Sequence, residues 1–331
     1  MKILIAYDGS ESADQGIDAL QRAALPTKAD ALVVSVAEVW LPPPAHNEVL
    51  DDMFPLQIPP GLKHARERAA HMIREAKEVA KRGTERVQQA LPEWSVTHEV
   101  KSGSPAHEVL KLAREWESDI IVVGSHGRTA LGRFVLGSVS QKVLTEAETS
   151  VRIARPRSGT GASAIRIVVG VDGSEGAAAA IRAVASRDWT PGSEVRVVVA
   201  EDSLTANSVY RWLPPVNEFI DEVNKAEHTQ AEAIAARAVN KLHAGLGNSS
   251  VTVSAVVAAG DPKQVLVQHA EEFGADCIFT GATGFSTPIE RFLVGSVSAA
   301  VAARAHCSVE VVRVPKGGYE LTVSPTHSDG M

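Results

Sequence analysis

Two glycine-rich stretches carry the residues whose types and spacing best suit binding chemistry. In the first, two residues separate Gly124 from Gly127, and nine more precede the Gly137-Ser138 step. Glycine allows successive main-chain N–H groups to turn toward one ligand without a Cβ clash. A helix that begins at the Gly-Ser step adds unpaired N–H donors and a partial positive charge. The spacing predicts an anion cradle built mainly from main chain.

Side chains around this cradle can add donors for a phosphate chain. We expect hydroxyl contacts from Ser138 and Ser140, within a binding run that also includes Val139. Arg128 follows the second glycine and can form charge-assisted hydrogen bonds with phosphate oxygens. We assign no catalytic residue and no metal ligand, because the sequence lacks a G-x-x-x-x-G-K-[ST] loop, a G-x-S-x-G turn and a His/Cys/Asp grouping.

Asp8 and Val36 are expected to hold the opposite end of the ligand. Each lies at the carboxyl end of a predicted strand. Because like charges repel, we expect the Asp8 carboxylate away from the phosphates, where it accepts hydrogen bonds from sugar hydroxyls or a base amino group. Val36 would offer main-chain groups and an apolar edge to the base. A nucleotide satisfies both ends of such a site.

The arrangement recurs in the second half of the chain with one change of spacing. Gly281 and Gly284 are again separated by two residues, but ten residues precede the Gly295-Ser296 step. Phe285 stands where the first copy has an arginine, so a cation is lost. A single glycine pair is more often a structural turn than a binding site. The repetition of the whole arrangement in both halves favours a ligand site. We expect the first half to be the better site.

Apolar runs alternate with amphipathic segments and place both stretches in α/β domains. Short runs without polar alternation suit strands buried on both faces of a parallel sheet. Their alternation with helices predicts a parallel sheet in each half, with ligands outside the carboxyl ends of the strands. Five strands are predicted in each half, at 3–7, 31–37, 96–101, 120–123 and 151–154, and at 167–171, 195–200, 251–257, 277–280 and 309–312.

The same pattern divides the chain. Residues 1–156 and 165–314 are the predicted domains, 157–164 is a linker of small residues, and 315–331 is a loose tail rich in Gly, Pro, Ser and Thr.

Two long helices and a proline-rich segment are further predictions. The helices span 62–91 and 217–245, and the apolar stripe of the first includes Met72 and Ile73. The proline-rich segment at 40–60 is expected to pack on its own domain or on a partner subunit, with a mobile lid as the alternative.

Composition and charge exclude several classes of protein. A net charge of −7 argues against nucleic-acid binding through a basic face. Cys277 and Cys307 each begin an apolar run, so we expect buried free thiols and no disulfide framework. No apolar run approaches the ~18 residues of a membrane span, and no signal peptide precedes the first strand. We expect a cytoplasmic protein with no nucleic-acid or membrane partner.

The Gly-x2-Gly-x9-Gly-Ser spacing resembles the ATP-binding motif of universal stress proteins. The Asp-Gly-Ser-Glu that ends the first strand and the Gly-Ser-Val-Ser run resemble the same family. Two copies in one chain are similar to its tandem-domain members, and the resemblance covers all but the linker, the proline-rich segments and the tail. It implies two α/β domains, each a five-stranded parallel sheet flanked by helices (adenine nucleotide alpha hydrolase-like, Rossmann-like). It also implies dimer-like packing of the halves through their last strands.

The resemblance also implies a ligand and its contacts. The cofactor would be ATP, with Mg²⁺ a possible companion of its phosphates. Asp8 and Val36 would hold adenosine. Phosphates and ribose would be held by Gly124, Gly127, Gly137 and Ser138. The corresponding set in the second half is Asp172, Val199, Gly281, Gly284, Gly295 and Ser296, continued by Val297 and Ser298.

The first functional hypothesis is therefore an ATP-binding stress-response or regulatory protein. Hydrolysis is expected to be slow at most, because no general base and no arrangement for an attacking water is apparent. Two alternatives stay open: an ATP-using enzyme on the same α/β scaffold, and an interaction scaffold that keeps the glycines only for folding. We also expect a homo-oligomer, a dimer of tandem chains, and a regulatory protein partner.

Overall fold

The computed structural model describes residues 1–39, 60–127, 136–156, 164–201, 214–247, 249–282 and 294–314. The tail predicted at 315–331 lies outside the described residues, as do the predicted linker and the proline-rich segment except for their last residues. The first half contains β1 (Lys2–Ala6), α1 (Glu11–Leu20), β2 (Asp30–Ala37), α2 (Pro60–Ala90), β3 (Ser95–Ser102), α3 (Pro105–Glu115), β4 (Ile120–Gly124), α4 (Ser138–Glu146) and β5 (Ser150–Ala154). The second half contains β6 (Arg166–Gly170), α5 (Glu175–Ala185), β7 (Glu194–Glu201), α6 (Pro214–Leu246), β8 (Thr252–Ala259), α7 (Pro262–Phe273), β9 (Cys277–Gly281), α8 (Ser296–Arg304) and β10 (Ser308–Val312).

Local sequence signals set several helix ends. The hydroxyl of Ser10 accepts a hydrogen bond from the N–H of Ala13 at 3.2 Å and caps the start of α1. Pro105 and Pro262 occupy the first helical position of α3 and α7, where a missing N–H costs nothing. Gly274 ends α7 with φ of 63°, a left-handed conformation that glycine adopts without strain.

All ten strands form one sheet, in the order β3-β2-β1-β4-β5-β10-β9-β6-β7-β8. Pairing is parallel within each half, which confirms the predicted five-stranded parallel sheets. The two halves meet where β5 pairs antiparallel with β10. The expectation that the halves pack through their last strands is therefore confirmed.

Apolar residues fill both faces of this sheet. On one face a single core runs across both halves and takes in Val143 of α4 and Val301 of α8. On the other face each half has its own core, one built with α1 and α2 and the other with α5 and α6. Cys277 and Cys307 are buried free thiols as predicted, and burial raises the pKa of Cys277 to about 11.

The predicted apolar stripe of α2 is only partly covered by the rest of the protein. Ala76, Val79 and Val87 are buried, but Met72 and Ile73 are 38% and 41% exposed. Ala76 is the first buried residue of the helix, and the earlier turns contribute none among the described side chains. Helical periodicity predicts which residues share a face, and it does not predict where along a long helix the sheet begins to cover that face.

Candidate functional site

A cleft of about 430 Å³ lies outside the carboxyl ends of β1, β2 and β4. β1 sits between β2 and β4, so this is the point where the strand order reverses and where open α/β sheets bind ligands. The volume lies in the range of small-molecule sites. The predicted residues that line the cleft are Asp8, Val36, Gly124, Gly127, Gly137, Ser138, Val139 and Ser140. Arg128 lies outside the described residues.

The beginning of α4 faces this cleft without a side-chain cap. Gly137 is its N-cap residue, and no side chain of the described residues caps it, whereas Ser10 caps α1. The N–H of Gly137 donates to the carbonyl oxygen of Ser125 at 2.9 Å. The N–H groups of Ser138 and Val139 belong to the first turn, where no intrahelical acceptor exists. This end of α4 can therefore donate hydrogen bonds to an anion in the cleft.

Ser140 is buried and does not offer its hydroxyl to a ligand. Its Oγ donates to the carbonyl oxygen of Gly124 at 2.6 Å, and Ser298 makes the same 2.6 Å bond to Gly281. A phosphate oxygen needs a donor, and the single hydroxyl proton of each serine is already used. The predicted hydroxyl contact from Ser140 is therefore wrong. Both serines instead fix the start of a helix to the end of a strand.

Asp8 lies beside the glycine loop. A Cβ at Gly127 would lie 3.3 Å from Asp8 Oδ2, and Oδ1 of Asp8 accepts a hydrogen bond from the N–H of Ser10 at 3.0 Å. Asp8 lies close to Gly127 because β1 and β4 are neighbours and their carboxyl ends stand side by side. The expectation that its carboxylate lies away from the phosphates of a ligand stays a prediction. Bulk at Gly127 would meet the carboxylate directly.

Two serine hydroxyls and an imidazole form a cluster just after the end of β4. Ser12 Oγ lies 3.4 Å from Ser125 Oγ and accepts the N–H of His126 at 3.3 Å. Ser125 Oγ lies 2.9 Å from His126 Nδ1. His126 lines the cleft, and its Nε2 is buried without a hydrogen-bond partner among the described residues. Sequence reasoning missed this residue, although its place between Gly124 and Gly127 was a usable signal.

Other lining residues come from elements that no motif marks. Met72 and Glu75 reach the cleft from α2, and Glu38 follows β2. Tyr7 also lines it and donates its hydroxyl to Asp14 Oδ1 at 2.5 Å. Burial and the hydrogen bond with Asp14 raise the pKa of Tyr7 to about 12, so the phenol stays neutral at ordinary pH.

The second half repeats the main-chain part of this design. Asp172 Oδ1 accepts the N–H of Ser174 at 2.9 Å, as Asp8 accepts that of Ser10. Gly295 is the N-cap residue of α8, again without a side-chain cap among the described residues, and Ser296 and Val297 belong to the first turn. Gly284 lies outside the described residues.

The assignment of Val199 to the second site is wrong by one residue. The ladders place Val34 beside Ala6 in the first half and Val198 beside Gly170 in the second. By this register the counterpart of Val36 is Ala200. Val199 is buried in the core formed with α5 and α6, because successive side chains of a strand point to opposite faces.

Glycines at the strand ends also serve packing. A Cβ at Gly124 would lie 3.3 Å from Ser12 Oγ and 3.4 Å from the nitrogen of Ala13. A Cβ at Gly281 would lie only 2.3 Å from the carbonyl carbon of Gly176. In both halves the first turn of a helix thus presses against the strand end, and the contact is much closer in the second half.

Two negative findings apply to the described part of the chain. It holds no group of three or more His, Cys, Asp or Glu side chains placed to bind a metal ion. It also holds no helix that is both long enough and apolar enough to span a bilayer.

Comparison with known proteins places both halves in one family. The model of the universal stress protein family matches residues 1–155 and 165–313. A universal stress protein of Thermus aquaticus is 34% identical over 157 residues, which cover 46% of this chain and 97% of that protein. One of Methanocaldococcus jannaschii is 33% identical over 81 residues, covering 24% of this chain and 48% of that relative, so this match spans about half of its length. The crystal structure of a universal stress protein from Archaeoglobus fulgidus shares the fold over 94% of this chain and 96% of its own, with a TM-score of 0.56 and 20% identity. With one matching domain in each half, the chain belongs to the universal stress protein family.

Proposed function

We propose that the first half binds ATP in the cleft beside α4 and that the chain acts as a nucleotide-binding stress-response or regulatory protein. The observation that carries this proposal is the beginning of α4, which faces the cleft without a side-chain cap in the described residues. A phosphate group would accept hydrogen bonds from the N–H groups of its first turn and would benefit from the helix dipole.

The glycine loop supports a phosphate in the same place. A Cβ at Gly137 would lie 3.4 Å from the nitrogen of Gly127, so the loop and the helix start approach each other closely. The buried Nε2 of His126 also requires a partner, since an unsatisfied buried polar group costs about 1–3 kcal/mol. An oxygen of the bound nucleotide would satisfy it. The carboxylate of Asp8 would accept hydrogen bonds from hydroxyl groups of the ribose.

Mg²⁺ would enter with the nucleotide and neutralise part of its charge. Asp8, Glu38 and Glu75 all line the cleft, so a nucleotide with a bound cation meets less repulsion than a free one. We expect slow hydrolysis at most, because the described lining residues present no side chain pair arranged to activate a water. Occupancy of the cleft would then act by stabilising the domain or by changing a surface that a partner contacts.

The test is calorimetry with ATP and Mg²⁺ on the full chain and on two matched variants. Gly127→Glu places a carboxylate against Asp8 and should abolish binding in the first half. Gly284→Glu is the corresponding change in the second half and should leave the first site intact. Chromatography of nucleotide released from the denatured protein gives the number of filled sites.

Unchanged ATP affinity in Gly127→Glu would refute the site. No binding by the unmodified chain would favour the interaction scaffold. Product release well above a control without protein, lost on changing one cleft side chain, would favour an ATP-using enzyme.

A further inference from the structure

The two halves meet at a buried pair of opposite charges. In the antiparallel ladder between β5 and β10, Arg152 stands directly opposite Glu310. Arg152 Nη1 and Glu310 Oε2 lie 3.0 Å apart, and the two residues are 1% and 2% exposed. Both residues are the third of five in their strands, so they occupy the same position of the repeated fold. The approximate twofold axis that relates the two halves therefore brings the central residue of one last strand opposite the central residue of the other.

On either side of this ion pair, each half makes the same contacts with the other half. The N–H of Arg155 donates to Ser308 Oγ at 3.1 Å, and the N–H of Arg313 donates to Ser150 Oγ at 3.1 Å. Each guanidinium also crosses the seam to carbonyl oxygens in the last turns of the opposite helix. These oxygens are Ala302 O of α8 for Arg155, at 2.5 Å, and Leu144 O of α4 for Arg313, at 3.1 Å.

Two identical halves could satisfy all of these flanking contacts. At the centre they could not, because two first halves would bury one guanidinium against another and two second halves would bury one carboxylate against another. Like charges in such a place are destabilising, because two Arg152 side chains would have no counter-charge and two Glu310 side chains would each keep only the Arg187 of their own half. The centre of the seam is thus where the sequence distinguishes the two halves.

Further contacts stabilise Glu310 and join the two halves. Arg187 of the second half also binds Glu310, through Oε1, and donates from Nη1 to the carbonyl oxygen of Ala23 in the first half at 2.9 Å. Arg22 of the first half forms a 3.0 Å ion pair with Asp276 of the second. Glu310 thereby has two guanidinium partners, which compensate its burial better than one.

We propose that Arg152 and Glu310 restrict the last-strand edge of each half to the other half and exclude a second copy of the same half. The partner that this surface fits is an α/β domain with the opposite charge at the central position of its last strand. Within one chain both of these strands are already paired, and β3 and β8 are the edge strands of the sheet that the described residues form. A homo-oligomer of this chain must then use a surface other than β5 and β10.

The test uses charge reversal in the full chain. Arg152→Glu places two carboxylates at the centre, and Glu310→Arg places a third guanidinium beside Arg152 and Arg187. Light scattering over a range of concentrations should show that each variant alone loses the compact single-chain form. Mixing the two variants in equal amounts should produce a two-chain species, because the first half of each variant then meets the opposite central charge on the second half of the other.

Two further measurements keep the proposal testable if a variant fails to fold alone. The variants are refolded together from denaturant, where a two-chain species is again expected. The double variant Arg152→Glu/Glu310→Arg should regain the single-chain form that each single change loses. Arg313→Ala is the matched control, because it weakens the seam without changing the central charges, and its mixtures should form no new species. Single-chain behaviour in both charge variants, or mixtures that behave as the sum of their components, would overturn the proposal.

Discussion

In both halves the glycine before the helix donates its N–H to the residue that follows the strand-end glycine, but the side chains around this contact differ. In the first half Ser12, Ser125 and His126 form a connected cluster just after the end of β4. At the corresponding positions the second half has Gly176, Ala282 and Thr283. The described part of the second half compensates with close backbone packing, since Gly176 lies against Gly281. The difference shows that the same strand-to-helix contact can be stabilised in two ways, by polar side chains in the first half and by backbone packing in the second.

The carboxyl ends of β2 and β7 differ as well. The last residue of β2 is Ala37, whereas the last residue of β7 is Glu201. Glu201 Oε1 lies 2.5 Å from Nδ1 of His228 on α6, and Glu232 lies 3.4 Å from Nε2 of the same ring. Matching the buried residues of the long helices places His228 at the position of Ile73. The second half therefore has a charged, pH-sensitive contact where the first half is apolar.

The largest effect expected from this comparison concerns the strand-end glycines. Gly281→Ala should destabilise the protein by about 3 kcal/mol, because the new Cβ meets the backbone of Gly176, which can move away only by displacing α5. Gly124→Ala should change stability by about 1 kcal/mol or less, because its neighbours lie at 3.3 Å or beyond. Urea denaturation of both variants measures the difference. Equal urea midpoints for the two variants would show that the two helix–strand contacts tolerate an added methyl group equally well.

A second prediction concerns a variant in which Ser125 and His126 are replaced by the residues at the corresponding positions of the second half. Ser125→Ala combined with His126→Thr removes the hydroxyl and imidazole contacts and should weaken ATP binding to the first half about tenfold, the worth of one or two hydrogen bonds. The free energy of unfolding without ligand should change less, because the substitution also removes His126 Nε2, which has no partner among the described residues. Calorimetry and thermal unfolding of the same samples separate the two effects. A loss of stability as large as the loss of affinity would show that the cluster serves folding alone.

The smallest effect concerns pH and the second half. The hydrogen bond to Glu201 and the charges of Glu201 and Glu232 raise the pKa of His228 above its ordinary value. A raised pKa means that the charged form stabilises the fold below pH ~6.5, and that this contribution is lost as pH rises through the higher folded value. The melting temperature of the unmodified chain should exceed that of His228→Gln at pH 5.5, with the difference vanishing toward pH 9. A difference in melting temperature that does not vary with pH would show that it does not arise from protonation of His228.

Much of the fold could be predicted because its signals are local. The runs that became β1 and β6 lack polar alternation, Ser10 and Ser174 stand where helices need caps, and the repeat of the whole pattern indicated two domains. The two runs of glycines likewise identified the loop that faces the cleft. These features depend on residues close together in the chain, which is why periodicity and spacing sufficed.

The errors arose where the outcome depends on contacts between distant segments. Val199 was assigned in place of Ala200 because the sequence alone does not fix the register of β7. Only its pairing with β6 does so. A shift of one residue along a strand moves the side chain to the opposite face of the sheet. The hydroxyl of Ser140 was assigned to a ligand because its acceptor, the carbonyl of Gly124, approaches it only in the folded protein.

The sequence by itself determined two α/β domains of one family, each with a glycine loop followed by a helix. Those properties follow from hydrophobic period, turn residues and repetition, all of which act over short distances. Only the tertiary structure decided that Asp8 lies against Gly127, that Gly281 is required for packing on Gly176, and that Arg152 faces Glu310 across the seam. These facts depend on which strands become neighbours and in which register, because hydrogen bonds and ion pairs form only between groups that the completed sheet brings within reach.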